Sequence, residues 1–291
     1  MTALPVQLSR LAVERAVAAA LEEDLGLAGD LTSQATLAPD AWAVAVLGAR
    51  EPGVIAGLDL AAAAFRLVGE GVSFSARVSD GDRVAAGDAV AEIAGPARLV
   101  MSAERVALNF LNHLSGIATL TRAYADAVAG TGAQICDTRK TTPGLRAFEK
   151  YAVRCGGGAN HRFALDDAIL IKDNHIAVAG GVAAAYRAAQ AFAGHLVAIE
   201  IEVTSLAELE EALEAGARVI MLDNMDNDLL RQAVAINAGR AKLEASGGVK
   251  LDRVRSIAET GVDYISTSQI TMSAKPLDLG LDVTIGGARG A

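Results

Sequence analysis

Residues 137–175 gather Arg139, Lys140, Arg146, Lys150, Arg154, Arg162 and Lys172, with His161 and His175 between them. The chain around them is acidic, with a formal net charge of −9 over 291 residues. Cations concentrated against the overall sign imply a local counter-charge, and the simplest one is a small, highly anionic ligand held in a concave site. Arginine brings a planar two-pronged donor suited to carboxylates, and lysine a compact charge suited to phosphates.

The cations sit in motifs. Thr138-Arg139-Lys140-Thr141-Thr142-Pro143-Gly144 directly follows an apolar run, and Pro143 is expected in the first turn of the next helix, whose N-terminus would favour an anion. Gly156-Gly157-Gly158 precedes Asn160-His161-Arg162, a loop that either serves as a flexible linker or lets backbone approach a ligand. Lys172 closes the apolar run AILI and is followed by Asp173-Asn174-His175; it either meets an anion or forms an ion pair with Asp173 or a neighbouring strand. Glu202 and Asp223 end two further apolar runs. Two converging carboxylates suit Mg²⁺ held partly through water, or they neutralise Lys140 and Lys172. Ser246-Gly247-Gly248 ends another run with a Gly pair, where amides can cradle a phosphate. A zinc site from His161 and His175 lacks a completing Cys or third His.

These motifs need elements to hold them in register. Gly194, Gly216, Gly239 and Gly261 recur at spacings of 22, 23 and 22 residues. A helical pattern precedes each and an apolar run follows each, the arrangement of βα units with Gly as the helix C-cap. Polar residues fall seven or eight positions after each Gly, at Glu202, Asp223, Ser246 and Ser268. With the runs ending at Asp137-Thr138 and at Lys172, six apolar strands end in polar groups. This is the layout of an α/β barrel with its site at the strand C-termini, although six units fall short of eight. An open doubly wound sheet is the structural alternative.

Residues 1–112 differ, with a helix over 10–24 and strand-like runs WAVAVLGAR, GVSFSARV and DAVAEIAG. They predict a small α+β domain with antiparallel strands. Residues 102–129 predict one or two helices leading into a barrel domain over 113–274, and the tail 275–291 is expected to return to the first domain. The segment VSDGDRVAAGDAVAEIAG resembles a lipoyl or biotinyl carrier hairpin, but it has no Lys to modify, so an ordinary hairpin is expected.

Composition narrows the function classes. An acidic chain argues against a nucleic-acid partner. No signal-peptide pattern opens the sequence and no apolar run reaches membrane-span length, so a cytoplasmic protein is expected. Cys136 and Cys155 have no ligand spacing and no disulfide framework around them, and read as reduced thiols.

DTRKTTPGLR, GGGANHR, LIKDNH, IEIEV, LDN and EASGG together resemble the quinolinate phosphoribosyltransferase family, with similarity over nearly the whole chain. TRKTTPGLR with KDNH is a highly specific combination. The resemblance implies an incomplete barrel of about six strands, an N-terminal sandwich domain, and a homodimer whose subunits share their active sites. It implies transfer of phosphoribosyl from phosphoribosyl pyrophosphate to quinolinate with decarboxylation, using Mg²⁺ as cofactor. By residue, it implies quinolinate binding by Arg139, His161, Arg162 and Lys172 with Thr138, and by Arg105 of the partner subunit. Lys140, Glu202 and Asp223 would serve ribose, pyrophosphate and Mg²⁺, and Ser246, Gly247 and Gly248 the 5′-phosphate. One departure stands out: the last strand is followed by STSQITMS, without the family's usual Gly and His, so Thr267 and Ser268 are expected to take over there. Arg146, Lys150 and Arg154 recur every four residues and are expected to be mostly a helix face. The rival readings are a nicotinate phosphoribosyltransferase, the related molybdenum-transport-associated protein, and a non-catalytic anion-binding module; carboxylates beside the cations argue against the last.

Overall fold

Strict alternation in WAVAVLGA makes a strand with one buried face: Ala43, Ala45, Leu47 and Ala49 point inward, while Val44 and Val46 face out. The computed structural model describes residues 7–285. It opens with helices α1 (Arg10–Leu25) and α2 (Leu31–Thr36), then strands β1 (Trp42–Ala49) and β2 (Gly53–Val54). Helix α3 (Leu58–Leu67), strands β3 (Ser73–Ala76), β4 (Arg83–Val84) and β5 (Ala89–Pro96), and the long helix α4 (Ala97–Ala127) follow. Helix α1 buries Val13, Val17 and Leu21, spaced four apart on one face.

The second half alternates strands and helices. In order they are β6 (Gln134–Cys136), α5 (Arg146–Cys155), β7 (Ile169–Ile171), α6 (Asp173–Ala179), α7 (Val182–Phe192), β8 (Ile199–Val203) and α8 (Leu206–Glu214). Then come β9 (Val219–Asp223), α9 (Asn227–Asn237), β10 (Lys242–Ser246), α10 (Leu251–Ala258), β11 (Tyr264–Ser266), α11 (Gln269–Met272) and β12 (Leu279–Ile285).

Two compact units result. The first holds residues up to Leu120, Ala147–Gly157 and the stretch from Ala274 onward; the second holds Thr121–Arg146 and Gly158–Ser273. The first contains an antiparallel sheet in the order β12-β1-β5-β3, with β12 paired along β1 from Ala49↔Leu279 to Ala43↔Ile285. The position 112/113, expected to separate the domains, falls inside α4, the single long helix that the sequence allowed over 102–129. Residues 286–291 of the expected returning tail lie outside the described residues.

The second unit contains a six-stranded parallel sheet in the order β6-β11-β10-β9-β8-β7. The first strand of the series pairs with the last, as in a barrel, but β6 and β7 are not paired with one another, so the barrel has an open seam. Segment 158–161 lies along the free side of β6. Ala159 forms a parallel bridge to Cys136, its N–H donates to Ile135 O at 2.7 Å, and its carbonyl accepts from Asp137 N–H at 3.2 Å.

The expected Gly punctuation holds at three of four places. Gly216, Gly239 and Gly261 adopt positive φ of 90°, 78° and 97° after α8, α9 and α10, whereas Gly194 after α7 is not among the positive-φ residues. Pro143 does not open α5: residues 143–145 form a turn closed by Leu145 N–H donating to Thr142 O at 3.0 Å, and the helix starts at Arg146. Among the described residues no helix is long and apolar enough to cross a membrane.

Backbone meets backbone where the chain returns to the first sheet. Leu277 N–H donates to Asn112 O at 2.9 Å, and a Cβ on Gly116 of α4 would lie 2.9 Å from Lys275 C and 3.0 Å from Pro276 Cα. Neither neighbour is a flexible side-chain tip. Gly116→Val is therefore expected to destabilise the protein by about 2–3 kcal/mol, read as a lower urea midpoint at unchanged m-value.

Candidate active site

Strand alternation decides which side chains meet. In a parallel strand residues two apart share a face, so Leu170 and Lys172, Met221 and Asp223, and Glu244 and Ser246 all reach one cavity of about 670 Å³. Thr138, Arg139 and Lys140 line it from the loop after β6, His161 and Arg162 from the seam, and Glu202 from β8. Gly247, Gly248, Thr267 and Ser268 complete the rim, together with Asn224, Val249, Lys250 and Ser266. The sequence-derived site residues thus share one pocket, except Arg105. That residue is exposed on α4 in the first unit and is not among the lining side chains.

The two arginines are only partly satisfied. The Nε–H groups of Arg139 and Arg162 are buried and have no acceptor. Arg162 NH1 donates to Ala168 O at 3.2 Å. Burial, and then the neighbouring charge of Arg139, lower the Arg162 pKa, while Asp167 and Glu200 oppose the shift. A guanidinium stays charged under such pressure, so the pair stores a repulsion that an anion relieves. Arg146 braces this arrangement: its guanidinium donates to Thr141 Oγ1 (3.1 Å), Phe163 O (3.3 Å) and Arg139 O (3.4 Å). Lys150, expected on a helix face with Arg146 and Arg154, is on α5 and 1% exposed, whereas those two arginines are partly exposed.

Lys172 Nζ contacts Glu202 Oε2, so the ion pair with a neighbouring strand is present. Its main-chain N–H donates to His175 Nδ1 at 3.0 Å, which makes His175 a cap on α6 and keeps it off the pocket wall. Asp223 Oδ2 accepts from Asn224 Nδ2 at 2.7 Å. Asn224 holds this contact from a left-handed φ of 55°, a conformation asparagine tolerates better than most residues. Its amide also explains Gly247: at φ 94°, a Cβ there would lie 2.6 Å from Asn224 Cγ. Thr267, 5% exposed, donates its hydroxyl to Val249 O at 3.1 Å and accepts from Gln269 N–H at 3.2 Å. Its hydroxyl is held by the fold, while the hydroxyls of Ser246, Ser266 and Ser268 also line this pocket. Thr271 Oγ1 donates to Lys140 O at 2.8 Å, tying the STSQITMS segment to the loop after β6.

A second, buried layer of acids was not anticipated. Asp137, 0% exposed, accepts from His161 N–H at 2.9 Å and from Asn160 Nδ2 at 2.5 Å. His161 Nε2 lies 2.7 Å from Glu200 Oε2 and 3.9 Å from Glu244 Oε1, while Nδ1 accepts from Arg162 N–H at 2.8 Å. That acceptor role places the ring proton on Nε2. The signal for both acids was present in sequence: IEIEV and LEAS put Glu200 and Glu244 two residues before Glu202 and Ser246, on the same strand faces. Cys136 and Cys155 are buried and form no disulfide; burial, then Asp80, push the Cys155 thiol up to about 12, far from a thiolate nucleophile.

Two family models match consecutive parts of the chain. Residues 30–115 match the N-terminal domain of quinolinate phosphoribosyl transferase, and residues 117–282 match its C-terminal domain. The chain belongs to the quinolinate phosphoribosyltransferase family. It is 45% identical over 263 residues to the probable nicotinate-nucleotide pyrophosphorylase [carboxylating] of Bacillus subtilis, covering 90% of each chain. It is 41% identical over 282 residues to the quinolinate phosphoribosyltransferase [decarboxylating] 1b of Nicotiana tabacum, covering 91% of this chain and 80% of that one. The crystal structure of NadC from Streptococcus pyogenes superposes with a TM-score of 0.93 at 44% identity, over 97% of this chain and 100% of that one. The α/β architecture, an incomplete six-stranded barrel in one unit and an antiparallel sheet in the other, is therefore this family's fold.

Glu244 gives the site a pH signature. Burial, then the charge of Glu200, push its carboxyl up to about 7 from the 4.5 of an exposed glutamate. Between those values the folded state binds more protons than the unfolded one, so stability falls as pH rises through the window. Glu244→Gln removes this dependence. Its thermal midpoint is expected to exceed the parent's by about 2 °C or more at pH 8 and to converge with it near pH 4.5, checked by calorimetry across the range.

Proposed function

We propose that the chain transfers the phosphoribosyl group of phosphoribosyl pyrophosphate to quinolinate and releases nicotinate mononucleotide, pyrophosphate and CO₂. The names of its relatives, carboxylating and decarboxylating, describe that one equilibrium from opposite sides. The observation that carries the reading is the pair of buried, unanswered Nε–H groups on Arg139 and Arg162 in one pocket. Two cations beside each other call for a dicarboxylate, because a monocarboxylate leaves one of them uncompensated.

Arg139, Arg162 and Lys172 bind the two carboxylates, with Thr138 at the edge and Arg105 supplied by the partner subunit of a homodimer. His161 holds the seam loop beside them. Lys140 faces the pyrophosphate, and the amides of Gly247 and Gly248 with Ser246 and Ser268 receive the 5′-phosphate. Glu202 and Asp223 fit a hard divalent cation, since both present oxygen donors from adjacent strand ends to one pocket. Mg²⁺ bound there, partly through water, would supply positive charge to the departing pyrophosphate. The same carboxylates favour the positive character that develops at ribose C1. The pyridine nitrogen lone pair forms the bond to C1 as the C1–O bond breaks and its electrons leave with pyrophosphate. The ring nitrogen is then positive and accepts the electron pair freed when the adjacent C–CO₂ bond breaks, after which that carbon takes a proton from water. No covalent nucleophile is required, in keeping with the buried cysteines, and the reduced thiols suit a cytoplasmic setting.

The deciding measurement is CO₂ release with quinolinate and phosphoribosyl pyrophosphate, compared with turnover of nicotinate. Arg162→Ala is expected to lower kcat/KM for quinolinate roughly 100-fold or more with unchanged circular dichroism; activity on nicotinate equal to that on quinolinate would refute the assignment. The shared site has its own check. Arg105→Ala and Arg139→Ala chains, each inactive alone, are expected to regain about a quarter of parent activity when mixed and allowed to exchange subunits, by random pairing. Hybrid dimers that form without recovery would place Arg105 outside its partner's site.

A further inference from the structure

Glu200 is 8% exposed inside the barrel, on the strand face that also carries Glu202. Its Oε2 accepts from His161 Nε2–H at 2.7 Å, and its Oε1 is buried without a partner. A carboxylate in a barrel interior, here beside a second acid at Glu244, is costly to desolvate and adds less stability than an apolar residue of the same size. Its contact runs outward: Glu200 to His161, and His161 Nδ1 to the main-chain N–H of Arg162 at 2.8 Å. The same carboxylate opposes the Arg139 repulsion at the Arg162 guanidinium.

We propose that Glu200 is a positioning residue for the dicarboxylate pocket, acting through the His161 ring to fix the main chain and guanidinium of Arg162. The inference rests on the quinolinate reading above. A carboxylate behind an imidazole sets both its tautomer and its plane, as it does behind metal-bound histidines. With the Nε2 proton anchored on Glu200, Nδ1 is obliged to accept, and the acceptor it offers is taken by Arg162. Asp137 holds the preceding N–H, so residues 160–162 are pinned on the free side of β6 by two buried acids.

The test uses full-length protein and varies each substrate separately. Parent turnover of quinolinate is measured first, and its absence would sink the quinolinate reading rather than this inference alone. Glu200→Leu, which keeps volume but removes the acceptor, is expected to raise KM for quinolinate about 10-fold, with KM for phosphoribosyl pyrophosphate within about twofold of the parent. Glu200→Gln keeps an acceptor oxygen and is expected to restore a near-parental quinolinate KM. His161→Ala should reproduce the selective rise, and Glu200→Leu should add less than about twofold in that background, since residues acting through one another are not additive. Equal rises for both substrates, or effects that multiply in the double variant, would overturn the proposal. Should Glu200→Leu fail to fold, His161→Ala decides alone: an unchanged quinolinate KM breaks the relay.

Discussion

The open edge of β6 is the constraint on which the site depends. Six parallel strands do not close a barrel, and an unpaired edge leaves N–H and C=O groups that must find partners. Here segment 158–161 satisfies them through the Ala159–Cys136 bridge and its two flanking hydrogen bonds. Side chains on that segment are thereby placed with strand-like precision although they belong to a loop. Arg162 comes to the cavity with Arg139, which lies in the loop that follows the strand the segment pairs with. The incompleteness of the barrel and the presence of a two-cation pocket are in this sense one fact.

Charge balance explains the acids in a pocket built for anions. Lys172 and Glu202 neutralise each other across β7 and β8, so this part of the wall costs less to hold without ligand than a bare ammonium would. Arg139 and Arg162 have no such answer on their Nε sides; Ala168 O accepts from the Arg162 guanidinium, and the Arg146 guanidinium donates to the main-chain carbonyl of Arg139. The opposite wall carries Asp223 oriented by Asn224, and Gly247 kept bare so that Asn224 fits. One cavity therefore has a cationic wall and an anionic wall, as expected for a site joining a dianion to a carbon that becomes positive.

Much of this was legible in sequence because the barrel repeats. Apolar runs of four to six residues ended by polar groups located the strands, and chemistry at strand ends located the rim. What failed did so where a single local signal was outvoted. Pro143 is compatible with a helix start, but Gly144, at φ 83°, turns the chain first. Helical spacing alone made Arg146, Lys150 and Arg154 one face, and could not distinguish a solvated face from a buried one; Lys150 is inside. The expected boundary at 112/113 lies within α4, and the two matching family domains divide close to it, between residues 115 and 117. Thr267 lines the pocket as expected, and its hydroxyl is also held by Val249 O and Gln269 N–H, contacts that residue type alone did not reveal.

The buried acids show why a rim-only reading of a barrel is incomplete. Residues at strand C-termini are conspicuous because they interrupt apolar runs, and Glu202 and Asp223 were found that way. Glu200 and Glu244 sit inside runs, where a charged residue is ordinarily read as facing away from the core. Period-two alternation contradicts that: if Glu202 and Ser246 point inward, so must the residues two before them. A strand that spends an interior position on a carboxylate gives up hydrophobic packing there, and the loss is tolerable only if the carboxylate has a proton donor to hold. His161 is that donor for Glu200, and the raised Glu244 pKa shows the second acid accommodated instead by protonation near neutrality. The deeper layer thus fixes the geometry of the rim without adding two full charges to it, which lets Arg139 and Arg162 keep a net positive field for the substrate.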